Sequence, residues 1–372
     1  MREIVELRLP IASYSMKSTL IAVVLFLLCS YAHAQNEYSL VVRHYHEKQN
    51  FNGTVLVASA GKIDFLAGVG LANRRDQSAI SAQTKFKIAS ITKTFTAVLV
   101  LQLVEQGLLD LDVNFGKYYP SYPGDAKNKV TLRHLLTYSS GIPNTAEKLG
   151  MQPYQTQLNI DTYIQKYCSE NVAEIPGEKS NYSNTEYIIL HKIIENITQK
   201  LYAQVLQEQL LMPLNMLNTG FLTSNSSVKG LAESYTIDDS TQNIAPDEAY
   251  FIENYFGAGA MYSTVEDLLK FDYALFNNNL LKPSTRQMML HPSEKLNGVG
   301  LGVWYAEGYG TFNKPFVYRT GGILGACSNW IHTLDDNKTI IVFNNTNGTN
   351  LYELSEQLYL VSKGQKAGIL EK

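Results

Sequence analysis

Phe86-Lys-Ile-Ala-Ser-Ile-Thr-Lys-Thr-Phe-Thr-Ala97 is the stretch whose reading decides the fold, because a serine and a lysine three residues apart open a long apolar helix there. From Ile91 to Gln106 nearly every position is a good helix former and apolar on most sides, the pattern of a helix buried in the middle of a molecule. Gly107 supplies the stop. A helix advances about 1.5 Å and turns about 100° per residue, so the Ser90 hydroxyl and the Lys93 amine share a face within reach of each other. That pairs a nucleophile with a base, at a helix start whose free N–H groups stabilise developing negative charge.

The spacing alone is weak. Ser-x-x-Lys also occurs at Ser59 to Lys62, on an expected hairpin turn, and at Ser226 to Lys229, in a polar loop. Only Ser90 stands at the head of a buried helix.

Working outward, 372 residues with 45% hydrophobic and 17% charged side chains make an ordinary globular chain with material for a large core. A net charge of -3 argues against nucleic acid as a partner. The chain carries 24 tyrosines against 2 tryptophans, which suggests amphipathic cleft and surface contacts.

At the N-terminus, Met16-Lys17 precedes the apolar run Thr19 to Leu28, and Ala32-His-Ala34 precedes Gln35, the arrangement of a secretory signal with an A-x-A cleavage site. The run is shorter than the roughly 20 residues that span a bilayer. Arg2 and Arg8 are offset by Glu3 and Glu6, unlike a signal's n-region, which points to translation starting at Met16. An uncleaved anchor is the other reading, and lipidation at Cys29 is disfavoured by the bulky Leu28 before it. The expectation is a signal over 1–34, a mature chain of 35–372 beginning at Gln35, and a periplasmic or secreted location. Its only contact with a membrane would be through the signal.

After cleavage Cys168 and Cys327 remain, in regions that read as different layers, and both are expected to be free and buried. No Cys/His cluster has zinc spacing. His44-x-His46 reads as a solvated helix face, so neither metal nor cofactor is expected.

Tyr38, Val41, Val42 and Tyr45 recur at helical spacing between Asn36 and Asn50. Gly53 to Ser59 and Lys62 to Gly70 then form β-rich runs around Ala60-Gly61, a hairpin by pattern and turn chemistry. The segment ending at Tyr122-Pro-Gly124 reads as loop, and Thr131 to Tyr138 as a short helix. Helical periodicity follows in Glu186 to Thr198, Leu201 to Leu211, and Met261 to Asn277, the last capped by Ser263 or Thr264. Strand patterns return at Gly300 to Tyr305, Phe316 to Thr320, Ala326 to His332 and Thr339 to Asn344, before a final helix from Leu351 to Val361. The expected fold is α/β (α+β): one antiparallel sheet built from both chain ends, about 35–99 and 291–372, with a helical part inserted over about 100–290.

Two further groups of residues bear on chemistry. Tyr182-Ser-Asn184 follows Pro176-Gly177, and Arg319-Thr-Gly-Gly322 lies on an expected strand. A phenol offers a second proton-transfer group, an amide can hold a substrate carbonyl, and glycines let a substrate backbone approach closely. Singly, Tyr182 reads equally as a packed tyrosine and the glycines as a bulge.

The order Ser90-x-x-Lys93, Tyr182-x-Asn184 and a basic triplet with glycine resembles the serine β-lactamase and penicillin-binding-protein superfamily, in its class C β-lactamase-like branch of D,D-carboxypeptidases and esterases. The likeness covers roughly residues 50 to 345. It includes Phe51-Asn-Gly-Thr-Val-Leu-Val57, Leu103-Val-Glu-Gln-Gly-Leu-Leu-Asp-Leu-Asp112, Leu135-Leu-Thr-Tyr-Ser-Ser-Gly-Ile-Pro143, Pro213-Leu-Asn-Met216 and Gly257-Ala-Gly-Ala-Met-Tyr-Ser-Thr264. The resemblance implies a β-lactamase/transpeptidase-like fold with its active site between sheet and helical part. It also implies Ser90 as acylated nucleophile, Lys93 as general base or its partner, and Tyr182 as proton carrier. Asn184, Arg319, Thr320 and Gly321 would contact substrate, and the N–H groups of Ser90 and Gly322 would form the oxyanion hole, with water cleaving the serine ester.

Two residues depart from the resembled pattern. Arg319 stands where lysine or histidine is more usual, and Tyr138 replaces a common histidine. A free lysine titrates near ~10.4, so Lys93 acts as a base only if burial and a neighbouring positive charge lower it, and Arg319 can supply that charge. The arginine fork also suits carboxylates, which implies a substrate carboxylate near the scissile bond, or else a structural acid paired with Arg319. The implied activity is acyl-serine hydrolysis of D-amino-acid peptides, β-lactams or esters. The alternative is a non-catalytic protein that binds cell-wall peptides or a partner.

Overall fold

The computed structural model describes residues 34–277 and 279–370. The signal expected over 1–34, and Cys29 within it, lie outside these residues except for Ala34. Helix α1 (34–48) buries Tyr38, Val41, Val42 and Tyr45, the stripe its periodicity predicts. Strands β1 (Gly53–Ser59) and β2 (Lys62–Val69) pair through a two-residue turn in which Ala60 and Gly61 both take positive φ, at 48° and 78°. Two such residues give a twist that matches paired strands.

Four strands from the other end of the chain complete the sheet: β3 (Trp304–Ala306), β4 (Phe316–Ile323), β5 (Ala326–Thr333) and β6 (Lys338–Asn344). Their order is β3-β4-β5-β6-β1-β2, antiparallel throughout, and β1 meets β6 from Gly53 opposite Asn344 to Ser59 opposite Lys338. One junction therefore joins the two halves of the sequence. Val55 and Val57 of β1 pack on one face with α1 and α5 (Leu351–Ser362), while Leu56 and Ala58 face the larger helical core. This two-sided burial explains why β1 reads as a continuous apolar run.

Helix α2 (Thr92–Glu105) is buried on every side along its first ten residues, and Gly107 ends it with φ 73°. Around it lie α3 (Thr185–Thr198), the short helix Phe256–Gly259, and α4 (Val265–Phe276). Gly257 allows the closest of these approaches, since a Cβ there would sit 3.0 Å from Thr96 Oγ1. Among the described residues no helix is long and apolar enough to cross a membrane.

Several boundaries differ from expectation. Met261–Ser263 is a strand rather than the first turn of a helix, because it pairs with Phe86–Lys87 on one side and Gly220–Phe221 on the other. Helix α4 begins only after Thr264, whose hydroxyl accepts from Asp267 N. Leu201 to Leu211 divides into an α segment and a π turn, Gln207–Leu211. Gly302, at φ 83°, holds the chain in a turn, so β3 starts at Trp304 rather than Gly300. Cys168 is buried and Cys327 only partly so, and both thiols are free.

Candidate active site

Ser90 lies in a single 3-10 turn, Ala89–Ile91, that feeds directly into α2, and Lys93 occupies the helix's first turn. The strand Phe86–Lys87 and the inner half of β4 fix that turn. Gly321 explains how: a Cβ on it would stand 2.4 Å from Ile88 O, 2.5 Å from Ser328 Oγ and 2.9 Å from Ser90 N. Only glycine lets β4 pass so close to Ser90. Gly321 thus gives β4 its close backbone approach to Ser90. Thr320 and Gly322 are exposed on the same strand, and nothing lies within 4 Å of a Cβ built on Gly322.

The structure brings Ser90, Lys93, Tyr182 and Asn184 together. Ser90 Oγ is 2.6 Å from Tyr182 Oη and 3.1 Å from Lys93 Nζ. Lys93 is fully buried, and its amine also donates to Asn184 Oδ1 at 2.7 Å and Ala258 O at 2.8 Å. An amide oxygen and a carbonyl oxygen can only accept, so they hold two of the amine's protons. The third direction points at Ser90. When Lys93 is neutral, that direction carries its lone pair.

Burial pulls the Lys93 amine down from 10.5 to about 8, with Tyr182 opposing the change and Arg319 adding to it. Tyr182 moves the unusual way for a buried phenol. Burial alone would raise it, but the charges of Lys93 and Arg319 outweigh that cost and hold it below its ordinary value. Both candidate bases on the serine are therefore shifted toward neutrality.

Arg319 does not lie where the resemblance implies. It is 1% exposed, with Nε donating to Ser90 O at 3.1 Å and an Nη donating to Tyr182 Oη at 3.3 Å. Its Cζ sits 5.5, 5.2 and 5.6 Å from the ring centres of Tyr138, Tyr182 and Trp304. A guanidinium sealed in this way has no path to a substrate carboxylate. Among the described residues it forms no ion pair with a structural acid either. Its hydrogen bonds go to the Ser90 backbone and the Tyr182 phenol.

Asn184 likewise faces inward, its oxygen on Lys93 and its Nδ2 3.4 Å from Tyr154 Oη. Tyr154, the Ala258 carbonyl and Trp304 are site residues that the motifs do not reveal. Ala258 does fall inside the quoted stretch Gly257-Ala-Gly-Ala260. The other two Ser-x-x-Lys spacings are structural: Ser59 bonds Asp64 and Lys338 beside the hairpin, and Ser226 bonds Thr223 in its own loop. His46 Nδ1 is bound to Phe51 O at 2.7 Å.

The β-lactamase family model matches residues 40–363. Penicillin-binding protein 4* of Bacillus subtilis (strain 168) is 27% identical over 325 residues, covering 82% of this chain and 71% of that protein. Among solved structures, the octameric penicillin-binding protein homologue from Pyrococcus abyssi superposes with TM-score 0.74 at 23% identity, covering 89% of this chain and 78% of the other. The D-amino acid amidase from Ochrobactrum anthropi SV3 gives TM-score 0.76 at 22% identity, covering 89% and 99%. The chain belongs to the β-lactamase family, and it shares its fold with the penicillin-binding protein homologue and the D-amino acid amidase.

Proposed function

We propose that this protein is an exported hydrolase that forms an ester on Ser90 with the acyl part of an amide or ester substrate, of the D,D-peptidase, β-lactam or simple ester type, and releases it to water. The observation that carries this reading is the position of Ser90 Oγ between Tyr182 Oη and Lys93 Nζ. In the first step Oγ bonds to the substrate carbonyl carbon while its proton passes to Tyr182 or Lys93. Tyr182 then returns a proton to the departing amine or alcohol as the carbonyl–heteroatom bond breaks. Water repeats the sequence on the serine ester.

A peptide-like substrate is supported by the sheet edge. Strand β3 covers only Phe316 to Tyr318 of β4, so among the described residues Arg319 to Ile323 have no strand neighbour on that side. An extended backbone can add there.

The test is hydrolysis of p-nitrophenyl butyrate, nitrocefin and a D-Ala-D-Ala peptide by residues 35–372, each beside Ser90→Ala. Cleavage of any one, lost in the variant, supports the nucleophile and narrows the substrate. No cleavage and no acyl adduct would favour a protein that binds cell-wall peptides without turnover. Export is tested separately, by a mature N-terminus at Gln35 in intact mass spectra of the exported protein.

A further inference from the structure

A buried arginine normally has a carboxylate beside it, because burial strips the charge of water. Arg319 has none. Its two directed hydrogen bonds go to a carbonyl and a phenol, and one Nη is buried without any hydrogen-bond partner. What surrounds it instead is aromatic. The Tyr138 and Trp304 rings stack at 5.6 Å and 20°, and each also meets Tyr182, at 5.0 and 6.2 Å. Ring faces carry negative electrostatic potential and attract a cation most strongly when water is excluded.

We propose that Tyr138 and Trp304 are positioning residues that clamp the Arg319 guanidinium against Tyr182, so that a permanently charged side chain serves the buried active site without a counter-acid. Two independent features support the clamp. Tyr138 holds a positive φ of 54°, a conformation that costs energy for a bulky non-glycine residue and persists only where surrounding contacts demand it. Tyr138 also lies 44 positions before Tyr182 and Trp304 lies 15 before Arg319 in the sequence, yet the fold gathers all three rings around the one guanidinium.

The clamp has a consequence for protons, which rests on the serine-hydrolase reading above. The titratable groups facing Tyr182 are Ser90 and Lys93 at the head of α2, Arg319 on β4, Tyr138 after the Leu132–Leu136 helix and Tyr187 on α3, while Glu147 acts more weakly on Lys93. Of the cations, Arg319 alone keeps its charge throughout the working pH range. Holding it in place favours the phenolate form of Tyr182 at every pH where Lys93 loses its own proton.

The experiment follows labelling of Ser90 by a fluorescent fluorophosphonate as a function of pH, in the wild type, Ser90→Ala, Tyr138→Leu, Tyr138→Phe, Trp304→Leu and Arg319→Lys. Loss of a ring face or of the fork moves the acid limb of the rate profile up by roughly one pH unit and slows labelling at pH 7 about tenfold. Tyr138→Phe, which keeps the ring, restores the limb that Tyr138→Leu displaces. An unmoved limb in folded Trp304→Leu and Arg319→Lys overturns the clamp, and these two decide the matter if Tyr138→Leu does not fold. Wild type that fails to label at Ser90 overturns the hydrolase reading together with the clamp, whereas labelling with unmoved limbs overturns the clamp alone.

Discussion

Two buried polar networks in this molecule are built on opposite plans. In the first, Asp272 of α4 accepts from Trp330 Nε1 at 2.7 Å, from His332 Nδ1 at 3.0 Å and from Thr339 Oγ1 at 2.7 Å, which ties the helix to β5 and β6. A carboxylate can only accept, so His332 carries its proton on Nδ1. Three donors converge on one carboxylate, and among the described residues only His332 Nε2 in this network is buried without a hydrogen-bond partner. In the second, Lys93 and Arg319 place two potential cations around Ser90 and Tyr182, and their hydrogen-bond partners are carbonyls, an amide, a hydroxyl and a phenol. In the proposed reaction the missing negative charge is supplied as phenolate or oxyanion. A carboxylate met by donors holds the fold, and cations without a counter-acid suit a site where negative charge develops.

The comparison predicts a split between activity and stability. Lys93→Met removes the amine that faces Ser90, and acylation at neutral pH should fall on the order of 10³-fold, measured with the ester that the wild type cleaves best. Its denaturation midpoint should hold or rise, since a buried cation has been replaced by an apolar chain. Retention of acylation within tenfold would break the proposed division. Asp272→Ala should do the reverse. Three buried donors lose their acceptor, costing about 3 to 4 kcal/mol in chemical denaturation, while kcat/KM per folded molecule stays at the wild-type level.

Glu186 tests an intermediate case. It is 1% exposed and receives one hydroxyl, from Ser140 at 2.7 Å, while its second oxygen has no hydrogen-bond partner. Burial pushes its carboxyl up from 4.5 to about 7. The unfolded chain therefore loses this proton first as pH rises. Below about 4.5 both states are protonated and the contribution is fully present; between there and about 7 it drains away, by about 3 kcal/mol at most. Glu186→Gln keeps the bond from Ser140 and removes the titration. It should match wild type near pH 4 and exceed it in stability near pH 8. Equal pH dependence in the two proteins would mean that the acid finds compensation elsewhere.

Much of this was legible in the residues, for identifiable reasons. The strands of the main sheet, the Ala60-Gly61 turn and α2 announce themselves through local pattern, and Ser90 and Lys93 are related by a spacing that any helix start obeys. What stayed hidden depends on distant partners. Met261–Ser263 has strand geometry only because Phe86–Lys87 and Gly220–Phe221 flank it. Arg319 reads as a fork for a substrate carboxylate or as the partner of a structural acid, because an arginine's charge is usually met by one. Its burial requires Tyr138, Tyr182 and Trp304, which lie far apart along the chain. Asn184 reads as a substrate ligand, and only the fold turns its oxygen toward Lys93.

The smallest effect concerns how Asp272 reaches its network. The sequence allowed either Ser263 or Thr264 to cap α4, and the fold uses Thr264, whose Oγ1 accepts from Asp267 N at 3.2 Å. Ser263 is occupied with Thr219 at 2.7 Å. Thr264→Ala should therefore cost about 1 kcal/mol, visible as a shifted midpoint with an unchanged denaturant slope, whereas Ser263→Ala loses a hydroxyl pair but no cap. The cap stands two turns from Asp272 on the same helix. If Thr264→Ala also lowered the rate of Ser90 acylation, the helix and the active site would be coupled, and the two networks could no longer be treated as separate in their effects.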